Sequence, residues 1–278
     1  MGTDAFLLQI NSLPVLPQIA MRITERMQSA TATLQEISKL LQSDIGLSTR
    51  ILKLANSSYY SVPGGVKDVP KALQYLGFTT IAQIVLTTSV FGAFKTPGSR
   101  EFPLSAFWTH SFAVGQMAEI TARALQFKTP SDAFMGGLMH DLGKLILLEL
   151  QPDQLLKIIH LAGDQGFSFL HAETELGLKN HIELGVMLAQ HWKLPDAITS
   201  AIRFHHGNGI TPESKLIEWA NLWVHSQKIG NSGNFDGDVS EKLKLTQIEL
   251  GLSPKVLTSL EIQFQKEFEK AGAILSGH

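Results

Sequence analysis

Ten histidines and no cysteine set the chemistry open to this 278-residue chain. None of the ten precedes His110. Five of them, His110, His140, His181, His205 and His206, sit among apolar residues with helical spacing, and Asp141 follows His140 directly. Imidazole and carboxylate are the ligand set that zinc, iron, manganese or nickel takes when thiolate is unavailable. Asp141 lies inside the apolar run 133–150, where an unpartnered carboxylate is costly to bury. Lys144, one turn on, is one partner for it; a metal ion held by His140 and Asp141 together is the other. Adjacent helical residues diverge by about 100°, so both ligate one ion only at a helix edge or where the helix distorts. Gly136, Gly137 and Gly143 each weaken this helix by roughly 1 kcal/mol relative to alanine, which a close approach by a neighbouring helix would explain. His205 and His206 precede Gly207 and also suit a helix end at which protonated histidine meets the dipole.

The elements that must position these groups read as helices throughout. Apolar residues recur at helical spacing, as in Leu34, Ile37, Leu40 and Leu41, and strand signals are nearly absent. Thr129-Pro130, Thr211-Pro212 and Ser253-Pro254 mark helix starts, the hydroxyl capping orphan amides. Asn180 with Glu183 resembles a capping box that starts a helix at His181. Turn clusters at 61–65 and 95–100 punctuate the chain. We therefore expect a two-lobed all-α protein, with a helical lobe over 1–97, a second over 98–229, and over 230–278 a loop followed by helices at about 240–250 and 254–271. The loop Gly230–Asp238 lacks the spacing of an EF-hand and reads as solvated.

Composition excludes several classes. Lys and Arg number 23 against 25 Asp and Glu, for a net charge of −2, and 44% of residues are hydrophobic. There is core for one large or two intimate domains and no global field for a polyanion. Zinc-finger spacing and basic stripes with interleaved aromatics are missing, so nucleic-acid binding is not expected; Arg50, Lys53, Lys242 and Lys244 read as solvated faces. The N-terminus has no signal-peptide pattern, and the most apolar stretch, 81–94, still holds Gln83, Thr87, Thr88 and Ser89. A cytoplasmic protein without a membrane partner is expected.

The order His110, His140-Asp141 with Gly143-Lys144, His181, then His205-His206 resembles the HD superfamily of metal-dependent phosphohydrolases. Leu13-Pro14-Val15-Leu16-Pro17, the run Ser43 to Tyr60 with Ala55-Asn56-Ser57, and Ala72-Leu73-Gln74-Tyr75-Leu76-Gly77-Phe78 narrow the resemblance to HDOD signalling output domains. It runs from about Leu13 to His225. The resemblance implies an N-terminal helical lobe and an HD-like helical bundle as the second lobe. It implies His110, His140 and Asp141 as primary ligands, His181, His205 and His206 completing a second metal position, and Lys144 approaching substrate phosphate. Where the family pattern has a last aspartate, this chain has Asn221, a weaker donor that leaves a dication undercompensated. Glu218, one turn earlier, is either a substitute ligand beside Asn221 or a solvent-facing residue, and the second is the expectation. The segment after His206 lacks the Gly-Tyr-Pro loop of cyclic-dinucleotide phosphodiesterases.

Two functions follow. One is a non-catalytic signalling module with a degenerate pocket for a divalent transition metal (Fe, Mn, Zn or Ni), metal-filled or empty, acting through a signalling protein partner or a nucleotide or phosphate ligand. Asn56, Ser57, Tyr59 and Tyr60 offer a partner surface, or simply end a helix and cover the core. The other is a metal-dependent phosphohydrolase in which Asp141 and Lys144 serve a phosphate ester or nucleotide; Asn221 stands against it. Leu257, Leu260, Ile262 and Phe264 suit either capping of the second lobe or a homodimer.

Overall fold

The computed structural model describes residues 18–27, 33–56, 64–207, 209, 211–234 and 238–275, and every regular element among them is an α-helix. The Leu13 to Pro17 motif and the proposed surface residues Ser57, Tyr59 and Tyr60 lie outside the described residues. The described chain forms two compact units, divided between Ala93 and Phe94 and again between Gln265 and Lys266, the segment from Lys266 onward belonging with the first.

The first unit holds α1 (Gln18–Met27), α2 (Leu34–Gln42), α3 (Ile45–Ala55) and α4 (Val69–Ala93). A capping box at Thr33 and Glu36 starts α2. Asn56 closes α3: its Nδ2 donates to Leu52 O at 2.8 Å and Val66 O at 2.7 Å, while its Oδ1 accepts from Val66 N–H at 2.7 Å. That amide is thus spent on the chain's own backbone. α4 bends by 101° between arms Val69–Phe78 and Thr80–Ala93, at Gly77 with φ 78°. No single described helix is long and apolar enough to cross a membrane; these two arms meet the length and composition together, and the second is almost wholly buried.

The second unit, Phe94–Gln265, carries α5 (Leu104–Ala124), α6 (Pro130–Met139), α7 (Leu142–Leu150), α8 (Pro152–Gln165), α9 (Phe169–Glu175), α10 (His181–His191), α11 (Asp196–Phe204), α12 (Pro212–Ser226), α13 (Ser240–Glu249) and the start of α14 (Pro254–Leu275). α5 is buried at fifteen positions round its circumference, five of them the polar residues His110, Ser111, Gln116, Glu119 and Thr121, so it runs through the core. Asn180, Thr211 and Ser253 accept hydrogen bonds from Glu183, Ser214 and Val256 N–H and cap α10, α12 and α14 as their sequence predicts. Thr129 does not: with φ −130° and ψ 72° its backbone turns away from cap geometry and its side chain makes no capping bond.

The glycines mark where helices approach backbone to backbone. A Cβ on Gly137 would meet Gly115 Cα at 2.6 Å, so α6 lies directly on α5 there. One on Gly136 would meet Ala201 Cβ of α11 at 2.6 Å, and one on Gly143 would fall 1.8 Å from His181 O, at the first residue of α10. These approaches draw α5, α6, α7, α10 and α11 onto one point.

Candidate metal centre

The helical run expected through His140 breaks there. α6 ends at Met139, and Asp141, with φ −102° and ψ 10°, precedes α7. This local distortion turns two neighbouring side chains to one side, with His140 Nε2 3.2 Å from Asp141 Oδ2. His110 arrives from α5, His181 from the first turn of α10, and His205 and His206 from the end of α11. His110, His140 and Asp141 bring one ligand atom each to within 4.8 Å of one another, and Asp141, His181, His205 and His206 do the same. Asp141 is common to both sets. All these residues are buried except His206, which is partly exposed.

Backbone and carboxylate acceptors fix which nitrogen of each ring faces inward. His140 Nδ1 donates to Gly137 O at 2.6 Å and His205 Nδ1 to Ile202 O at 2.7 Å; a carbonyl only accepts, so both Nδ1 atoms carry the proton. His181 Nδ1 donates to Glu173 Oε2 at 2.7 Å, and its backbone N–H donates to Glu173 Oε1 at 2.7 Å. With the proton on Nδ1, the neutral form of each of these rings presents Nε2 as a bare lone pair. His181 Nε2 lies 3.2 Å from His205 Nε2, and Asp141 Oδ1 lies 3.3 Å from His205 Nε2 and 3.5 Å from His181 Nε2. His206 Nε2 is 3.0 Å from His181 Nε2. His140 Nε2 and Asp141 Oδ1 are buried with no hydrogen-bond partner.

Converging lone pairs repel unless a proton or a cation lies among them. Burial, reinforced by His140, pushes the His110 pKa down to about 3. Burial likewise pushes His205 to about 3 against the pull of Asp141, and it lowers His206 with help from His205 and His181. Burial alone would raise the Asp141 carboxyl, but His140 and Lys144 hold it well below the usual carboxylate range. Protonated imidazole at the ends of α11 is therefore not what these residues provide. Neutral imidazoles oriented by hydrogen bonds on the opposite nitrogen, around an ionised carboxylate, are the donor set of a transition-metal site. The residues fit a divalent transition ion.

Lys144 is wholly buried, and its ammonium is fully engaged. It donates to Asp141 Oδ2 at 2.8 Å, Asn234 Oδ1 at 2.7 Å and Ser232 Oγ at 3.3 Å, and lies 4.6 Å from the Phe169 ring centroid. Asn221 Oδ1 is 3.0 Å from His110 Nε2. Three expectations are corrected here. Glu218 does not face solvent: it is buried and pairs with Lys242 at 3.0 Å, because α13 packs on α12 and its lysine covers the carboxylate. Lys242 also donates to His206 O at 2.8 Å, so its ammonium is not simply solvated. The loop after α12 is not a plain solvated connection either. Ser232 and Asn234 are buried against Lys144, and Asn231 N–H bonds Ala106 O at 3.0 Å.

Glu173, Ser232 and Asn234 went unnoticed in the sequence. Glu173 shares its seven-residue helix with another acidic residue, Glu175, and only the eight-residue separation from His181 across a turn could have flagged it.

The HDOD domain model matches residues 13–208 of the chain. An HDOD domain protein of unknown function from Geobacter sulfurreducens has a similar structure, with a TM-score of 0.77 at 25% identity over 94% of this chain and 92% of that one. A Shewanella amazonensis SB2B protein described as a candidate phosphohydrolase gives 0.71 at 25% identity over 97% and 98%. A Treponema pallidum (strain Nichols) protein of uncharacterised function is 26% identical over 222 residues, 78% of this chain and 43% of its own length, so the chain spans less than half of that relative.

Proposed function

We propose, from the premise that this chain belongs to the HDOD family, that it is a cytoplasmic signal-transduction module built around a buried divalent-metal core and acting through a protein partner rather than by turnover. Lys144 carries this reading. The resemblance to HD hydrolases expects Lys144 to approach substrate phosphate, and here it is fully buried with its donors spent on Asp141, Ser232 and Asn234. His110, His140 and Asp141 would hold one ion, and Asp141, His181, His205 and His206 another. A bound ion supplies Lewis acidity and acidifies coordinated water. The chain's own residues orient the imidazoles through Gly137, Ile202 and Glu173, exclude bulk water and neutralise charge with a single ligating carboxylate. Asn221 at the His110 edge supplies an amide oxygen where a carboxylate would bind an ion more strongly.

A second reading, a metal-dependent phosphohydrolase, is favoured by the two ligand sets sharing Asp141, an arrangement suited to clamping a transferring phosphoryl group. Elemental analysis of protein purified without chelator or metal resin, together with a p-nitrophenyl phosphate and bis-p-nitrophenyl phosphate assay, separates the two. The module reading expects bound transition metal and no turnover above the metal-only blank. Turnover that disappears in His140→Ala establishes the hydrolase instead. Metal that stays substoichiometric after incubation with manganese, iron or zinc leaves the histidines as a hydrogen-bonded cluster and refutes the metal core.

A further inference from the structure

His140, His181 and His205 are each held from behind, with Nδ1–H donated to Gly137 O, Glu173 Oε2 and Ile202 O. His206 is not. Among the described residues its ring has no acceptor at Nδ1, its one hydrogen-bond contact being His181 Nε2 at 3.0 Å, and it alone of the two ligand sets is partly exposed. A ligand ring without a hydrogen bond on its far nitrogen takes its direction from the main chain that carries it. What fixes the backbone at His206 therefore fixes this donor.

That backbone is clamped from α13. Lys242 Nζ donates to His206 O at 2.8 Å and pairs with Glu218 Oε1 of α12 at 3.0 Å. The same carboxylate lies against the next residue, since a Cβ on Gly207, whose φ is 108°, would fall 3.0 Å from Glu218 Oε1. One ammonium thus ties the end of α11 to α12. α13 buries little of its own: only Thr246 of its ten residues is buried, and Leu245 and Ile248 are 56% and 76% exposed. A second ion pair, Lys215 with Glu249, anchors its last turn to α12. Charged contacts rather than apolar area therefore seat this helix. Lys215, Glu218 and all of α13 lie beyond the matched span 13–208, whereas His206 lies inside it.

We propose that Lys242 is a positioning residue for His206, and that α13 is a charge-held clip that sets the metal affinity of the Asp141, His181, His205 and His206 set. With the clip seated, the turn after α11 is closed and His206 Nε2 stays beside His181 Nε2. Unseating it frees the His206 carbonyl and leaves Glu218 buried without its cation, which is costly. The turn then relaxes and carries the His206 ring out of the set, leaving Asp141, His181 and His205. The Lys242 side chain is 48% exposed and the Glu218 side chain 9%, so a contact at the surface governs a donor of the core. This deepens the reading of a metal-core module and rests on it.

The test is cobalt(II) titration of the metal-free full chain. Visible absorption reports the number and kind of donors, and chelator competition gives the affinity. Lys242→Met should weaken the first equivalent about tenfold and change its spectrum, because one imidazole is lost. Lys242→Arg, which keeps the charge and can donate to both oxygens, should restore affinity and spectrum. Lys244→Met, the same charge change at an exposed position of α13, should leave both as in the unaltered chain. Unchanged affinity and spectrum in Lys242→Met overturn the proposal, as does a loss that arginine fails to restore or that Lys244→Met shares. If Lys242→Met does not fold, Glu218→Gln, which keeps the shape and removes the charge that seats the ammonium, must show the loss in its place. An unaltered chain that binds no cobalt defeats the metal core alone. The clip is then read in the metal-free protein, where the His206 ring signals in long-range ¹H–¹⁵N spectra must shift in Lys242→Met and return in Lys242→Arg; signals that stay in place overturn it.

Discussion

Replacing Glu173 by glutamine tests how the centre is built, because it keeps the shape and changes one proton. His181 presents two donors to this side chain, its backbone N–H and Nδ1–H, and the two carboxylate oxygens accept them at 2.7 Å each. Glutamine offers one oxygen and one NH₂. If its oxygen takes the backbone N–H, the NH₂ meets Nδ1, and the imidazole must move its proton to Nε2, the atom that faces His205, His206 and Asp141. If the amide turns the other way, two donors collide at the backbone of a fully buried residue. Either way a charge-assisted hydrogen bond worth roughly 1.5–3 kcal/mol is lost or a ligand lone pair is consumed. At about 1.4 kcal/mol per tenfold, metal affinity of the Asp141, His181, His205 and His206 set should fall about 10- to 100-fold. Chelator competition gives the affinity, and long-range ¹H–¹⁵N correlation spectra of the metal-free protein give the His181 tautomer. Unchanged affinity with Nε2 still unprotonated would refute the orientation argument.

Further outcomes follow from single contacts. Gly143→Ala places a methyl 1.8 Å from His181 O, which α7 and α10 can relieve only by separating; a thermal melt should show a loss of at least about 1–3 kcal/mol, together with metal loss from the His181 set. Asn221→Asp gives the ion at His110, His140 and Asp141 a carboxylate neighbour and should raise its affinity by about one order of magnitude; titration calorimetry showing no change would separate Asn221 from that site. Asn56→Ala removes both bonds to Val66 and should destabilise the first unit by roughly 1–3 kcal/mol in urea unfolding, with no effect on metal content.

The all-helical fold was legible because most helices of the second unit carry apolar residues at helical spacing, and four of them, α9, α10, α12 and α14, carry side-chain caps. The ligand residues were legible as residue types, and the glycines at 136, 137 and 143 as places of close approach. What sequence spacing hides is direction. Glu218 reads as the exposed side of α12 until α13 packs over it, and a polar loop rich in Asn, Gly and Ser reads as solvated until Lys144 is found beneath it. Thr129 has the right residue type for a cap and the wrong backbone angle, which its neighbours in the chain do not encode. Glu173 acts at a distance set by the turn between α9 and α10, and no periodicity connects it to His181.

The two ligand sets are unequal, and their inequality predicts an order of filling. Asp141, His181, His205 and His206 supply four donors, with His181 and His205 pre-oriented by Glu173 and Ile202. His110, His140 and Asp141 supply three, and His110 Nε2 already meets Asn221 Oδ1 at 3.0 Å. The first ion therefore gains more donors at lower reorganisation cost in the four-residue set. Once bound there it draws on Asp141, and with Lys144 close by, a second dication meets two positive charges and a depleted carboxylate. Titration of metal-free protein should show one tight equivalent that Glu173→Gln weakens and a weaker one that Asn221→Asp strengthens. The reverse pairing of variants with equivalents would place the dominant ion at His110 and His140 and make Asn221 its limiting ligand.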